Sequence, residues 1–267
     1  MKKIFIVIIL LVIAMGILLW TRSNTSEKSD WEYIKDKGEL IIGYEDHLPL
    51  NYTDTDGNLV GFETEFAEAL CEKIGIKPIF QSINWEAKEI ELNAKNIDCI
   101  WNGMSVNKER AESMDLSDPY MNNKKVIITR AEDKEKYNTA DDLKGATVVA
   151  NVGSINEKIV QTNPFFAQAE YVAVDSQSKS FMEVSAGTAD IAVVDYVASI
   201  GMFMENTNYD NLEIAKMLEG EDYVYAIAFR KNSPETLKII NQAIKELREE
   251  GKLKEIAQKY GLEDIVL

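Results

Sequence analysis

The sequence predicts an α/β protein built from two similar lobes. From residue 39 onward, short apolar runs typical of buried strands alternate with amphipathic helical segments, which predicts a parallel sheet with helices packed on it. The same order of strand, glycine-containing turn, helix, strand, helix and strand restarts near residue 126. With 267 residues, of which 46% are hydrophobic, the chain is long enough to bury one large core or two smaller ones.

The first twenty residues form a separate segment. Lys2 and Lys3 precede an unbroken apolar run over residues 4–20, which approaches the length needed to span a bilayer. The lysines predict that the N-terminus stays inside and the rest of the chain lies outside the cytoplasm. The run is long for a signal peptide, and neither an A-x-A cleavage site nor a cysteine follows it. We therefore favour an uncleaved anchor over a cleaved signal for residues 1–20, with residues 21–30 as a polar tether.

Composition excludes several classes of function. The net charge of −16 argues against nucleic acid as a partner, because a phosphate backbone needs a basic face. His47 is the only histidine, so a histidine-rich metal site is excluded, and we expect no cofactor. The two cysteines, Cys71 and Cys99, imply no disulfide framework. We expect two buried thiols, although a compartment outside the cytoplasm would permit a disulfide.

Strand and helix signals alternate through the first half of the chain. The clearest is an amphipathic helix that follows Gly61, buries Phe62, Phe66 and Leu70 on one face, and ends at Gly75. The predicted elements are helices over residues 31–37, 61–74 and 85–93 and strands over residues 39–44, 77–83 and 97–101. Their order predicts one α/β lobe with a parallel sheet.

The second half repeats this pattern. Ser154 followed by Glu157 is a capping-box pattern, which predicts a helix start. The predicted elements are strands over residues 126–129, 146–151, 171–174 and 191–194, a helical turn over 140–145, and helices over 154–162, 177–186 and 196–204. An extended run over residues 223–229, a long helix over 233–250 and a short helical segment over 253–260 complete the chain.

The stretch from residue 98 to residue 120 has the composition of one wall of a ligand site. An apolar strand is followed by the small and polar residues Asn102, Gly103 and Ser105, and then by Arg110. Ligands of α/β proteins bind at the ends of strands. In a protein with two such lobes, the ligand binds in the cleft between the lobes. The simpler interpretation is an ordinary strand, loop and helix with a solvated arginine.

Several motifs, in order and correctly spaced, carry a resemblance to a known family. They are residues 38–43 (GELIIG), 56–63 (DGNLVGFE), 107–110 with 116–120 (NKER and LSDPY), 142–145 with 153–154 (DLKG and GS), and 186–190 (AGTAD) with Asp195. Over residues 36–262 the chain resembles the bacterial solute-binding proteins of amino-acid ABC transporters, extracellular solute-binding protein family 3. The resemblance implies a type II periplasmic-binding-protein fold, the Venus flytrap, with the ligand between the lobes.

This fold implies two hinge crossings and a discontinuous first lobe. The crossings are expected near residues 120–125 and 219–225. Lobe 1 is then expected over residues 31–121 and 224–267, and lobe 2 over residues 125–220.

The resemblance also implies a site for a free amino acid. Such a zwitterion needs a cation for its carboxylate and an anion for its ammonium. The resemblance assigns the first role to Arg110, whose planar guanidinium can bind a carboxylate through two hydrogen bonds. It assigns the second to Asp195, at the end of a predicted strand, where the carboxylate could also cap the following helix.

Further residues are expected to complete the carboxylate and ammonium contacts. Ser154, at a helix start, can offer its N–H and hydroxyl to a carboxylate, and its capping role is compatible with that. Gly103 lets a ligand approach the backbone, and Ser105 can donate to the carboxylate. Asn102 lies at the same strand end. Turn formation without a ligand is the alternative for these three residues.

The side chain of the ligand is expected near the first strand and the second helix of lobe 1. Glu45 and His47 follow the strand, where the family often contacts the ligand side chain. Trp85 could stack on that side chain or belong to the core. The sequence departs from the family pattern at Asn107, where threonine is usual, and at Glu65, where aspartate is usual. Asn107 can still cap a short helix.

The resemblance implies a binding protein that captures a polar amino acid outside the cell and presents it to an ABC permease. A dehydratase-like enzyme on the same fold is one alternative, although a single histidine leaves little acid–base apparatus. A sensor that signals through the anchor is another. The amino acid itself stays open: Glu45 suits a cationic side chain, whereas Trp85 and Asn102 suit polar neutral ones such as glutamine or cystine.

Overall fold

A computed structural model gives two five-stranded sheets, each covered by helices. It describes residues 28–202, 204, 208–218 and 223–267. The predicted anchor over residues 1–20 and the tether up to residue 27 lie outside these residues. Among the described residues, no helix combines the length and the apolar character needed to cross a membrane.

The elements follow the predicted alternation. The described strands are β1 (Glu39–Tyr44), β2 (Tyr52–Thr53), β3 (Leu59–Val60), β4 (Lys77–Ser82), β5 (Cys99–Ile100), β6 (Asp115–Leu116), β7 (Met121–Asn123), β8 (Lys125–Arg130), β9 (Thr147–Asn151), β10 (Glu170–Val174), β11 (Ile191–Asp195), β12 (Leu212–Met217), β13 (Tyr223–Tyr225) and β14 (Ala228–Phe229). The α-helices are α1 (Asp30–Lys37), α2 (Phe62–Ile74), α3 (Lys88–Asn93), α4 (Lys108–Ser113), α5 (Ile155–Thr162), α6 (Gln177–Ala186), α7 (Tyr196–Met202), α8 (Pro234–Glu249) and α9 (Lys252–Lys259).

The sheet of lobe 1 has the order β4-β1-β5-β14-β6. β1 is parallel to both of its neighbours, as predicted. The parallel arrangement predicted for these three strands is therefore confirmed. The predicted parallel sheet did not include β14, which pairs antiparallel with β5 and with β6 and is the one reversed strand among the five. β14 follows the second crossing and therefore enters the sheet from the opposite direction to β5.

The sheet of lobe 2 has the order β10-β9-β11-β8-β12. β9 is parallel to β10 and β11, whereas β8 is antiparallel to β11 and β12. β12 was not predicted from the sequence. It lies at the edge of the sheet, and only Leu212 in it is buried, so its residues lack the alternation that marks a half-buried strand.

Two antiparallel strands, β7 and β13, run side by side between the lobes, with Met121 opposite Tyr225. Both overlap the crossings predicted near residues 120–125 and 219–225, although residues 219–222 lie outside the described residues. The lobe boundaries at residues 31–121 with 224–267, and at 125–220, remain our proposal.

The core of lobe 1 forms on the apolar face of α2. Phe62, Phe66 and Leu70 are fully buried, and the Phe66 ring packs edge-to-face on Trp101 with 4.9 Å between centroids. Cys71 and Cys99 are buried in the same cluster and are free thiols. The apolar periodicity of this helix therefore predicted its buried face correctly.

Some element boundaries differ from the prediction. The helix predicted over residues 85–93 is a 3-10 turn, Trp85–Ala87, followed by α3, and Asn84 caps the turn by accepting from the N–H of Glu86. The extended run predicted over residues 223–229 is divided between β13, at the hinge, and β14, in the sheet. This division lets one chain segment leave lobe 2 and join the sheet of lobe 1.

Candidate functional site

A cavity lies between the two lobes. It is lined by Glu45, His47, Trp85, Asn102, Gly103, Ser105, Arg110, Lys125, Asn151, Ser154, Ile155, Asn156, Gln177 and Asp195. The residues that the sequence predicts for the site are all among them. Strand ends deliver several of these side chains: Glu45 directly follows β1, while Asn151 and Asp195 end β9 and β11.

Asp195 forms an ion pair with Lys125. The antiparallel register of β11 and β8 places the two residues directly opposite each other. Lys125 Nζ bonds to Asp195 Oδ1 and also donates to Ser105 Oγ of lobe 1 at 3.1 Å. Burial alone would raise the pKa of the Asp195 carboxyl, but the charge of Lys125 holds it well below its usual range. The anion of the site is therefore ionised and already paired with an ammonium.

Three more side chains donate to the Asp195 carboxylate. They are Tyr225 Oη at 2.7 Å, Gln177 Nε2 at 3.0 Å and Asn156 Nδ2 at 3.3 Å. Together with Lys125 they fill the acceptor positions of a carboxylate. The first N–H groups of α7 bond elsewhere, that of Tyr196 to the Lys124 carbonyl and that of Val197 to Asn123 Oδ1. Asp195 thus faces the cavity and does not cap α7.

Arg110 is buried in the cleft, with 7% of its surface exposed. Asn107 caps α4 as predicted, since its Oδ1 accepts from the N–H of Arg110 at 2.8 Å. The guanidinium donates to the Ser105 carbonyl at 2.8 Å and, across the cleft, to the Gly153 carbonyl at 3.5 Å. The alternative of a solvated arginine is therefore wrong.

Lys88 is a further buried cation, next to Arg110, and the sequence analysis did not identify it. It is 5% exposed, and its Nζ donates to the carbonyls of Trp85 and Gly153, both at 3.0 Å. Burial and the nearby charge of Arg110 lower the pKa of Lys88 to about 8. Lys88 and Arg110 of lobe 1 thus both donate to one carbonyl oxygen of lobe 2.

Glu45 contacts the opposite lobe through Asn151, whose Nδ2 donates to Glu45 Oε1 at 2.5 Å. Burial raises the pKa of the Glu45 carboxyl to about 8, although this hydrogen bond and the charge of Lys88 oppose the rise. Asn102 Nδ2 donates to the Glu45 carbonyl at 2.9 Å. The Oδ1 atoms of Asn102, Asn151 and Asn156 are buried and have no hydrogen-bond partner among the described residues.

Ser154 caps α5, but its N–H and hydroxyl are not free to bind a ligand, contrary to our expectation. Its Oγ accepts from the Glu157 N–H at 3.1 Å and donates to the Asn151 carbonyl at 2.5 Å, while its N–H donates to the same carbonyl at 3.3 Å. The Glu157 carboxylate accepts from the N–H of Gly153, not of Ser154. These hydrogen bonds stabilise the sharp turn that places the Gly153 carbonyl between Lys88 and Arg110.

Gly103 and Trp85 shape the lobe 1 side of the cavity. Gly103 has φ +58°, and a Cβ there would lie 3.0 Å from Leu50 Cδ1 and 3.2 Å from His47 Cε1. Its N–H donates to the buried carboxylate of Glu63 at 2.9 Å. Trp85 is 5% exposed, lines the cavity and packs in an apolar cluster of lobe 1.

The chain matches a family model over residues 40–263, under the description Bacterial extracellular solute-binding proteins, family 3. The L-cystine-binding protein TcyJ of Escherichia coli (strain K12) is 28% identical over 236 residues, which cover 87% of this chain and 86% of that protein. Most of the matching relatives are named as binding proteins. A more distant one, the cyclohexadienyl dehydratase of Pseudomonas aeruginosa, is 26% identical over 183 residues, 67% of this chain and 68% of that enzyme.

Solved structures agree with this match. A substrate-binding protein of an ABC uptake transporter from Streptococcus pneumoniae, with bound histidine, is 28% identical, with a TM-score of 0.81 over 90% of this chain and 99% of that one. An ancestral arginine-binding protein bound to arginine is 29% identical, with a TM-score of 0.77 over 84% and 98%. These neighbours confirm the predicted type II periplasmic-binding-protein fold. The chain belongs to family 3 of the bacterial extracellular solute-binding proteins.

Proposed function

We propose that this chain captures a free amino acid between its lobes, outside the cytoplasmic membrane, and delivers it to an ABC permease. One observation carries the proposal: Arg110 of lobe 1 and Asp195 of lobe 2, a cation and an anion, are both buried around one cavity. An amino acid carries the two opposite charges that match them. The names of the relatives, which bind cystine, arginine or histidine, support a ligand of this class.

Arg110 binds the α-carboxylate in this proposal, with Ser105 as an additional donor. Asp195 binds the α-ammonium. Asp195 already accepts an ammonium, that of Lys125, so its surroundings suit such a group. The ligand ammonium competes with Lys125 for this carboxylate, and Lys125 can stay near Ser105 Oγ, its neighbour at 3.1 Å.

The remaining predicted residues, apart from Ser154, contact the rest of the ligand. Gly103 and Asn102 form the floor of the cavity, and Trp85 and Glu45 border the side chain of the ligand. Ser154 acts through the turn that it stabilises. A ligand that touches both lobes stabilises the closed arrangement over an open one, because only the closed arrangement offers both sets of contacts.

The apolar segment over residues 1–20 anchors the protein in the membrane in this proposal, and the residues between it and α1 form the tether. The predicted tether over residues 21–30 is too long at its end, because Ser29 caps α1 and Asp30 begins it. We expect the full chain to sediment with membranes and to resist extraction by salt. Recovery of a chain that lacks residues 1–20, or release by salt, would contradict an uncleaved anchor.

Isothermal titration of the full chain with the protein amino acids and L-cystine tests the binding function. Arg110→Met should weaken binding at least about thirtyfold, since loss of one partner of a buried charge pair costs about 2 kcal/mol or more. Arg248→Met, at an exposed arginine, is the control. Unchanged affinity in Arg110→Met would refute the assignment. Mass spectrometry should recover the ligand chemically unchanged, whereas a product would favour the dehydratase alternative.

A further inference from the structure

Glu63 is a buried carboxylate that reaches the ligand cavity only through other residues. It is the second residue of α2, is 1% exposed and is not part of the cavity lining. We propose that Glu63 is a positioning residue, whose ionised carboxylate joins the Gly103 turn at the floor of the cavity to Tyr120 at the first hinge crossing. This inference rests on the proposed function, because it concerns the floor of the same site.

The carboxylate fixes the backbone at the floor of the cavity. Glu63 Oε1 accepts from the N–H of Gly103 at 2.9 Å, and Gly103 has φ +58°, a conformation that side chains other than glycine rarely adopt. Glu63 Oε2 accepts from Asn51 Nδ2 at 2.8 Å, and the same Nδ2 donates to the carbonyl of Trp101 at 3.2 Å. These bonds hold the chain on both sides of Asn102, which lines the cavity.

The same carboxylate is bonded to the hinge. Tyr120 Oη donates to Glu63 Oε1, and Tyr120 directly precedes β7. The N–H of Tyr120 donates to the carbonyl of Tyr225, in the second hinge strand β13, at 3.0 Å. Tyr225 Oη donates in turn to Asp195 at 2.7 Å. Residues joined by hydrogen bonds therefore connect Gly103 to the hinge and to the carboxylate of lobe 2.

An ionised carboxylate is the form that accepts all of these bonds. Gly103, Tyr120 and Asn51 each present a donor to Glu63, and all three donors are neutral. Thr64 Oγ1 donates to Asn51 Oδ1 at 2.9 Å, so the Nδ2 side of the Asn51 amide is the side that faces Glu63. An amide of the same shape as glutamate avoids the cost of a buried charge, but it accepts on one side only. Glu63→Gln therefore turns an NH2 group toward one of these donors.

The carboxyl of Glu63 titrates near neutral pH. Burial raises its pKa to about 7, although the three hydrogen bonds oppose the rise. Two other titratable side chains face it, Tyr120 and Tyr225, and burial holds the pKa of each well above the usual value of tyrosine. His47, beside Gly103, has a pKa lowered to about 4 by burial. Between pH 8 and pH 6, Glu63 is thus the member of this group that changes its charge, and its protonated form resembles the amide of Glu63→Gln.

Isothermal titration of the full chain with the protein amino acids and L-cystine, at pH 8 and at pH 6, tests the inference. For the ligand that binds most tightly, Glu63→Gln should raise the Kd at least about tenfold at pH 8, where the wild-type carboxyl is mostly ionised. At pH 6 the wild-type carboxyl is mostly protonated, so the two Kd values should differ less than about threefold. Glu45 and Lys88, each with a pKa of about 8, titrate in both proteins and change both Kd values alike.

The outcomes separate this inference from the proposed function. If the wild type binds a ligand and Glu63→Gln has the same Kd at pH 8, the inference is overturned and the proposed function stands. A ratio of the two Kd values that is equal at pH 8 and pH 6 also overturns the inference, because a merely structural role does not depend on the charge of Glu63. If the wild type binds none of these ligands, both are overturned.

Two further variants separate positioning from stability. Leu70→Ala removes core contacts on the same helix, at a fully buried residue outside the cavity lining, and should leave the Kd unchanged. A loss of affinity in Leu70→Ala equal to that in Glu63→Gln would overturn the assignment of Glu63. Tyr120→Phe keeps the carboxylate and its bond to Gly103 but removes the link to the hinge, so the Kd should rise at least about threefold. An unchanged Kd in Tyr120→Phe would overturn the link to the hinge.

Discussion

Lys125 and Asp195 form a cross-strand ion pair in which the two side chains are only 3% and 4% exposed. The pair joins the first residue of β8 to the last residue of β11, and the Lys125 bond to Ser105 extends it to the other lobe. The carboxylate that we assign to the ligand ammonium is thus held ionised, in place and saturated with donors by the protein itself.

Breaking this pair should destabilise the protein. Lys125→Met leaves the Asp195 charge buried without its counter-ion, so we expect the free energy of unfolding to fall by about 3–5 kcal/mol. The double variant Lys125→Met with Asp195→Asn should recover most of this loss, because the two charges of the pair are then removed together.

Urea unfolding checks this expectation. Lys158→Met provides a matched control, since Lys158 pairs with Glu109 at 2.9 Å on the surface, with side-chain exposures of 61% and 76%. An exposed pair contributes at most about 1 kcal/mol. If Lys125→Met lowered the free energy of unfolding by no more than Lys158→Met does, the buried pair would not stabilise the fold.

The single histidine, His47, should stay neutral at pH values well below the usual pKa of histidine. Burial lowers the pKa of His47 to about 4, with Asp195 opposing and Lys125 reinforcing the effect. Between pH 6.5 and 4 the folded state therefore binds fewer protons than the unfolded state. Stability contributed by His47 is complete above pH 6.5 and is lost as the pH falls toward 4.

Because His47 is the only histidine, its ring C–H signal in an NMR titration is unambiguous. We expect the chemical shift to be constant from pH 8 to about 5 and to change only near pH 4. A midpoint near 6.5 would show that the ring is solvated, in conflict with its burial beside Gly103.

Closure of the lobes should be sensitive to a single added side chain at Gly201. This residue lies on α7, and a Cβ there would come within 2.8 Å of Leu48 Cβ and 2.9 Å of the Leu48 carbonyl carbon, in the loop after β1 of lobe 1. Gly201→Val should hold the two segments apart and cost about 1–3 kcal/mol of ligand-binding free energy. Isothermal titration measures the loss, and wild-type affinity would show that these segments need not meet when ligand binds.

The fold and three charged residues of the site, Glu45, Arg110 and Asp195, could be predicted from the sequence, because local signals identify them. Arg110 and Asp195 lie within ordered motifs, and the apolar face of α2 has a clear helical period. The antiparallel addition of β14 could not be predicted, since it depends on a strand that returns from the other lobe. β12 was missed because an edge strand with one buried residue has no clear pattern.

The buried lysines were missed for a different reason. Lys88 stands among glutamates on a short helix and has the pattern of a solvated residue; it is buried because the Gly153 turn of lobe 2 closes over it. Lys125 follows another lysine after two asparagines, and only the register of β8 against β11 places it on Asp195. The two lysines are buried by contacts between segments that lie far apart in the sequence, and no local sequence pattern predicts such contacts.

The central claim, that an amino acid bridges the lobes through Arg110 and Asp195, is tested most directly by the distance between the lobes. Spin labels at Glu112→Cys in lobe 1 and Lys144→Cys in lobe 2 would occupy exposed positions, while the native Cys71 and Cys99 are fully buried. The distance distribution of the doubly labelled full chain is then measured by pulsed electron–electron double resonance, with and without a mixture of the protein amino acids and L-cystine. We predict that the mixture shortens and narrows the distance distribution, and that Arg110→Met abolishes this change. Identical distributions with and without the mixture, or a change that persists in Arg110→Met, would contradict the claim.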